Sequence, residues 1–136
     1  MVGNFKNVTN VSKLQNGMTQ IIAHATTTSA GGLTTVYTVP ADTKAYITNA
    51  GMSLRTLTVA GGAGHEAIMY VRIGGNLKRI LTVTTETQTL GEPQSFSVTQ
   101  LYIPPIELAA AETVEILIGG LVSSNALSTN VVIWEE

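Results

Sequence analysis

Period-2 alternation of β-branched and polar residues, interrupted at short intervals by Gly- and Ser-rich breaks, constrains this chain more than any other feature. Eight stretches carry it: TQIIAHATT (19–27), TTVYTV (34–39), AYITNAGMSL (45–54), AIMYVRIG (67–74), LKRILTVTT (77–85), QSFSVTQLYI (94–103), TVEILIG (113–119) and STNVVIW (128–134). The breaks hold turn formers: Ser29-Ala30-Gly31-Gly32, Gly61-Gly62-Ala63-Gly64, Gly74-Gly75-Asn76, Gly91-Glu92-Pro93 and Ser123-Ser124-Asn125. Roughly one residue in seven is Thr, a type that suits pleated, half-exposed surfaces. About eight short strands so punctuated are the pattern of an all-β sandwich or barrel, and we expect a single antiparallel β-sandwich of about eight strands, jelly-roll-like.

Alternation also sorts side chains into faces. In 113–119, Val114, Ile116 and Ile118 share one face, and Thr113, Glu115 and Leu117 the other. In 77–85, Leu81 and Val83 oppose Ile80, Thr82 and Thr84. Strand 94–103 breaks step, because Phe96 and Val98 differ in parity from Leu101 and Ile103. A bulge near Thr99-Gln100 is expected to reconcile the two halves and to let the strand bend between sheets. After Pro104-Pro105, IELAAAETVEIL contains good helix formers, yet the prolines before it and the β-branched residues after it favour a loop or one short turn. Residues 1–18 are polar and weakly periodic, either a flexible tail or an ordered arm laid across a neighbouring subunit. The division is therefore an N-terminal arm, 1–18, and one sandwich domain, 19–136.

Composition narrows the function classes. Charged residues make up only 12% of the chain, against about 25% in typical soluble domains. Low charge suits a subunit whose neighbours cover its surface. The basic residues are scattered, and only Lys78 and Arg79 are adjacent, so no nucleic-acid footprint is present. There is no cysteine, which excludes disulfides, thiol nucleophiles and thiolate metal sites. No apolar run reaches the ~20 residues of a spanning helix, and no secretory signal is visible at the N-terminus. A soluble chain without a membrane partner is expected.

No constellation of catalytic type emerges. His65-Glu66 follows GGAG, but neighbours on a strand point to opposite faces, and the stretch matches neither phosphate-binding glycine motif. His24 shares the parity of Ile22 and Thr26 and reads as a partly buried or interface histidine. Glu112 and Glu115 would meet on a helix, but the strand reading separates them. Asp42 stands alone in its turn, Glu135-Glu136 are an acidic end, and Asn7-Val8-Thr9 and Asn10-Val11-Ser12 are chance matches to glycosylation acceptors. Trp134 either stacks on a sugar or closes the sandwich. We expect no catalytic, cofactor-binding or metal-binding residues, and no enzyme.

Residues 36–54, VYTVPADTKAYITNAGMSL, describe a strand end, a tight corner and a new strand. Pro40 fixes φ near −65° and cannot donate to a ladder, while Asp42 suits a turn. VYTVPA followed by KAYITNAGMSL resembles the opening of small β-sandwich virion proteins of tailed bacteriophages, the capsid decoration or cement type. LYIPPIELAAAETVEILIGG is similar to their Pro-Pro, hydrophobic pair, tight turn and return strand. The likeness covers roughly residues 33–56 and 98–120, and Asp42 and Ala111 stand where such turns often carry Gly. The resemblance implies a non-enzymatic virion component, assembled in the host cytoplasm and partnered by the major capsid protein or another virion protein. It also implies a homo-oligomer, most often a trimer, and brings no catalytic residues. Shell decoration is the leading expectation, with a neck, tail or fibre component and a carbohydrate-binding module as alternatives.

Overall fold

The computed structural model describes residues 17–27, 32–56, 66–84, 95–119 and 125–136. They form eight strands: β1 (Thr19–Thr27), β2 (Leu33–Thr38), β3 (Ala45–Thr56), β4 (Glu66–Ile73), β5 (Asn76–Thr84), β6 (Ser95–Leu108), β7 (Thr113–Gly119) and β8 (Asn125–Glu135). The first sheet has the order β1-β8-β3-β6 and the second β2-β7-β4-β5, all neighbours antiparallel. Along the chain, β4 turns back on β5, β3 pairs β6, β2 pairs β7 and β1 pairs β8. A long hairpin wound over itself into two sheets in this way is a jelly roll. No described segment is helical, and no described helix is long and apolar enough to cross a membrane.

The core lies between the sheets, on the faces that the alternation picks out. From the first sheet come Ala45, Ile47, Ala50, Met52, Leu54, Leu127, Val131 and Ile133; from the second, Ala67, Met69, Val71, Leu81, Val83, Val114, Ile116 and Ile118. Each large aliphatic side chain among them contributes about 1.5–3 kcal/mol by leaving water. Thr129 is the polar exception on the inner face. Its hydroxyl accepts from Ala25 N–H (3.1 Å) and donates to the Ala25 carbonyl (3.3 Å), so its burial leaves no orphan.

Turn chemistry sets the register at both ends. Gly74 and Gly75 link β4 to β5 with φ of 56° and 81°, the two positive values that a type I′ hairpin needs and only Gly adopts freely. The corner at 39–44 passes the chain from the second sheet to the first. Its Val39 N–H donates to the Glu112 carbonyl, and its carbonyl accepts from Ala111 N–H, both at 2.9 Å. Glu112 N–H donates to the Ala109 carbonyl (3.1 Å), closing a turn with Ala111 in its third position at φ 68°. Asp42 sits at φ 58°. Both residues expected at glycine-favouring positions thus adopt the left-handed conformation.

β6 departs from expectation. The strand continues through Pro104-Pro105 to Leu108 instead of ending at residue 103. No bulge occurs at Thr99-Gln100, where Gly51↔Thr99 and Ala50↔Gln100 are in step. The irregularity falls later, where Asn49 pairs Leu101 and Ile47 pairs Ile106, so Thr48 alone faces residues 102–105. Prolines are tolerated there because β6 is an edge strand and part of their backbone faces no partner. Tyr102 turns inward within this excursion and donates to the Ile80 carbonyl (2.8 Å), tying β6 to β5. Leu101 and Ile103 do not turn inward. Each is 66% exposed.

Candidate functional site

Two regions bring polar or apolar groups together, and they differ in kind. On the outer face of the second sheet, Tyr70 pairs Glu115 and Arg72 pairs Thr113 across β4 and β7. Arg72 grips Glu115 with two bonds, Nε to Oε1 (3.1 Å) and Nη2 to Oε2 (2.9 Å). Thr113 Oγ1 also donates to Glu115 Oε1 (3.1 Å), and Arg72 Nη1 donates to the Gly75 carbonyl (3.2 Å). Glu115 is only 7% exposed. Its hydrogen bonds from Arg72 hold its carboxyl below the usual carboxylate value, against the opposing effect of burial. Glu112 is nearby but differently employed. Its Oε1 accepts from Gly74 N–H (2.9 Å) and its Oε2 from Ala109 N–H (2.8 Å), bracing one turn against another. The two glutamates therefore act as separate fold ties and do not form an acid pair.

The outer face of the first sheet is the second region. Its four strands place residues in rows. One row reads Gln20, Trp134, Tyr46, Glu107; the next Ile22, Val132, Asn49, Leu101; the third His24, Asn130, Gly51, Thr99. The second row is apolar except for Asn49, and Ile103 lies beyond Leu101 along β6. Ile22 is 51% exposed. The row spans three strand spacings, about 14 Å. Asn49 Oδ1 is buried within it and has no hydrogen-bond partner among the described residues. A buried acceptor without a donor costs about 1–3 kcal/mol.

Along the first row, Trp134 and Tyr46 are direct cross-strand neighbours, both half-buried. Tyr46 Oη donates to Glu136 Oε2 (2.9 Å), and burial followed by that bond pushes its pKa up to about 12. Tyr37 Oη reaches from β2 to Glu135 Oε1 (2.5 Å), and burial and that carboxylate raise its pKa above the ordinary tyrosine value. The acidic end is thus held by two tyrosines. Lys44 adds an exposed pair with Glu107 (3.3 Å), of small energetic weight.

The remaining residues singled out in the sequence fall apart in space or outside the description. His24 is exposed on the outer face and not partly buried, since β1 is an edge strand. Glu66 opens β4, while His65, Asn7, Asn10 and residues 1–16 of the arm lie outside the described residues. Among the described residues no three His, Asp or Glu side chains gather as metal ligands. Sequence reasoning missed Arg72 as the partner of Glu115, because only the pairing of β4 with β7 joins them. It also missed Tyr46 beside Trp134, for which the shared parity of the two strands was the available signal.

No protein-family model matches this chain, and no curated protein matches it. Among solved structures, it is similar to a chain from Bacillus endospore appendages, described as a family of disulfide-linked pili, at 16% identity and a TM-score of 0.34. The match covers 87% of this chain and 86% of that one. A likeness of that size carries no argument about function.

Proposed function

We propose that this chain is a non-enzymatic structural protein of a bacteriophage virion, a decoration protein that binds the assembled capsid shell and stabilises it. The observation that carries the reading is the outer face of the first sheet. Ile22, Val132 and Leu101 present an apolar row around Asn49 Oδ1, an acceptor in need of a donor, and Ile103 is exposed further along β6. A protein surface laid on this row gains about 1.5–3 kcal/mol for each large aliphatic side chain it buries completely. Repeated at many shell positions, modest single contacts add up to a large stabilisation of the bound state. The low charge of the chain suits such burial. Jelly rolls serve in viral shells and lectins alike, so the winding by itself favours neither.

In this reading the partner is the major capsid protein or another virion protein, and the copies form a homo-oligomer, with a trimer favoured by the resemblance. Gold-labelled antibody on particles from the source host tests it: label spread evenly over the shell is expected. Label at one vertex or on the tail would move the protein to a neck, tail or fibre role, and unlabelled particles would refute the virion reading. Deleting residues 1–18, which leaves β1 intact, is expected to abolish shell binding while leaving the fold, and unchanged binding would remove the arm from the contact. The Trp134–Tyr46 pair favours one other reading, a carbohydrate-binding surface, which requires glycan affinity that Trp134→Ala removes.

A further inference from the structure

Four strands stand at sheet edges: β1 and β6 in the first sheet, β2 and β5 in the second. A free edge offers its N–H and C=O groups to any other strand, and proteins blunt such edges with charge, proline, bulges or shortness. Three of these edges are blunted. β6 carries Pro104 and Pro105 inside its excursion opposite Thr48. β5 carries exposed Lys78 and Arg79 next to Ile80, which its partner strand skips. β2 has 6 residues, with a break in register at Val36. β1 has none of these devices. Its 9 residues keep unbroken register with β8 and include no proline, acid, lysine or arginine.

Successive residues of an antiparallel strand turn their backbone groups to alternate sides. Ala25 directs its N–H and carbonyl towards Thr129 of β8, so the other odd residues of β1 face β8 as well. Gln20, Ile22, His24 and Thr26 aim theirs at the free edge, where no described strand pairs with them.

We propose that this edge joins a second copy of the chain, β1 against β1 about a two-fold axis. The strand is its own complement. Pairing centred on Ala23 sets Ile22 opposite His24 and Gln20 opposite Thr26 in both directions, with about eight new backbone hydrogen bonds. Among the inward residues, Ala23 then meets its own counterpart and Ile21 faces Ala25 of the second copy, so the two cores run on beneath one continuous sheet. A charge close to a two-fold axis would meet itself, and β1 has no acid, lysine or arginine. The contact goes beyond the shell reading and does not depend on it. A three-fold ring built through another face leaves the edge free, and two such rings would join through it.

Light scattering on the full chain, from about 1 to 100 µM and without shells, tests the proposal. The expected result is a mass of twice 14.3 kDa, or an even multiple of a larger ring. His24→Pro removes an N–H aimed at the free edge without taking a bond from β8, which an edge strand accommodates. Ile22→Lys places a charge beside the axis at a position exposed in the single chain. Each is expected to weaken the pairing at least tenfold, and Ile22→Lys to leave the melting temperature of the single chain unchanged. If His24→Pro impairs folding, Ile22→Lys alone decides. Hydrogen exchange should show the amides of residues 20, 22, 24 and 26 becoming protected as concentration rises. A mass of one chain throughout, an odd ring untouched by Ile22→Lys, or full protection of these amides in a particle with the mass of one chain would overturn the proposal. The last of these results would give the edge to another segment of the same chain. Failure of shell binding would leave it standing.

Discussion

Two adjacent alanines in the turn before β7 should respond to glycine with opposite signs. Ala111 sits at φ 68°, where an L-residue pays about 1–2 kcal/mol for the approach of its Cβ to the backbone. Replacing it with Gly removes that strain but enlarges the freedom of the unfolded chain, a loss of about 0.4–1 kcal/mol. The methyl group is exposed, so its removal sacrifices little packing. The balance favours Ala111→Gly by about 0.5–1 kcal/mol, equivalent to a rise in melting temperature of about 2–4 °C for a chain of this size. Ala110 is not in the left-handed region, so Ala110→Gly incurs only the entropic loss and should destabilise by about 0.5–1 kcal/mol. Asp42→Gly should gain less than Ala111→Gly, because Asp tolerates this conformation better than Ala. Urea denaturation followed by circular dichroism, with an unchanged slope against denaturant, gives the differences directly, and calorimetry checks the melting temperatures. If Ala111→Gly proves less stable than the parent, or the two alanines shift together, the strain argument fails.

Two further predictions concern charge. Because the Glu115 carboxyl is held below the ordinary value of 4.5, it binds protons less readily folded than unfolded, so its stabilisation is present above that value and lost as pH falls through the lowered one. Arg72→Met should therefore lower the melting temperature at pH 7, by more than Arg72→Met with Glu115→Leu does, and the deficit should shrink towards pH 3; a constant deficit would refute the pairing. Tyr102 works in the other direction. Burial raises its pKa to about 12 from 10.0, so its contribution is complete below 10 and fades between the two values; Tyr102→Phe should flatten that alkaline loss in a pH series of denaturation curves, and an unaltered slope would count against its burial.

Much of the fold was legible because strand and core faces follow local rules. The bounds of β1 and β7 coincide with the alternating runs, and Val114, Ile116, Ile118, Leu81 and Val83 all face inward as parity demands. Asp42 and Ala111 were legible as glycine-type positions only through the resemblance of the two corners to a known pattern. β6 was misjudged because its alternation was assumed to serve burial. Leu101 and Ile103 are hydrophobic for some purpose outside the core, and no periodicity distinguishes that from a bulge. The surface features needed the strand order. Arg72 and Glu115 are 43 residues apart, and Tyr46 and Trp134 share a face only because β8 inserts beside β3. Pairing at such distances is a property of the whole winding, which no single stretch of sequence encodes.

The position of β8 has a consequence for synthesis. It is the last of the eight strands to leave the ribosome, yet it occupies an inner place in the first sheet, between β1 and β3. All four strands of the second sheet emerge before it, so that sheet has its complete set of partners while the first is still divided. Until residues 125–135 are made, β1 has no ladder to join, and its self-complementary edge is not yet held straight. The outer face of the first sheet and the β1 edge are therefore completed only when β8 arrives, after all four described strands of the second sheet are available to close upon.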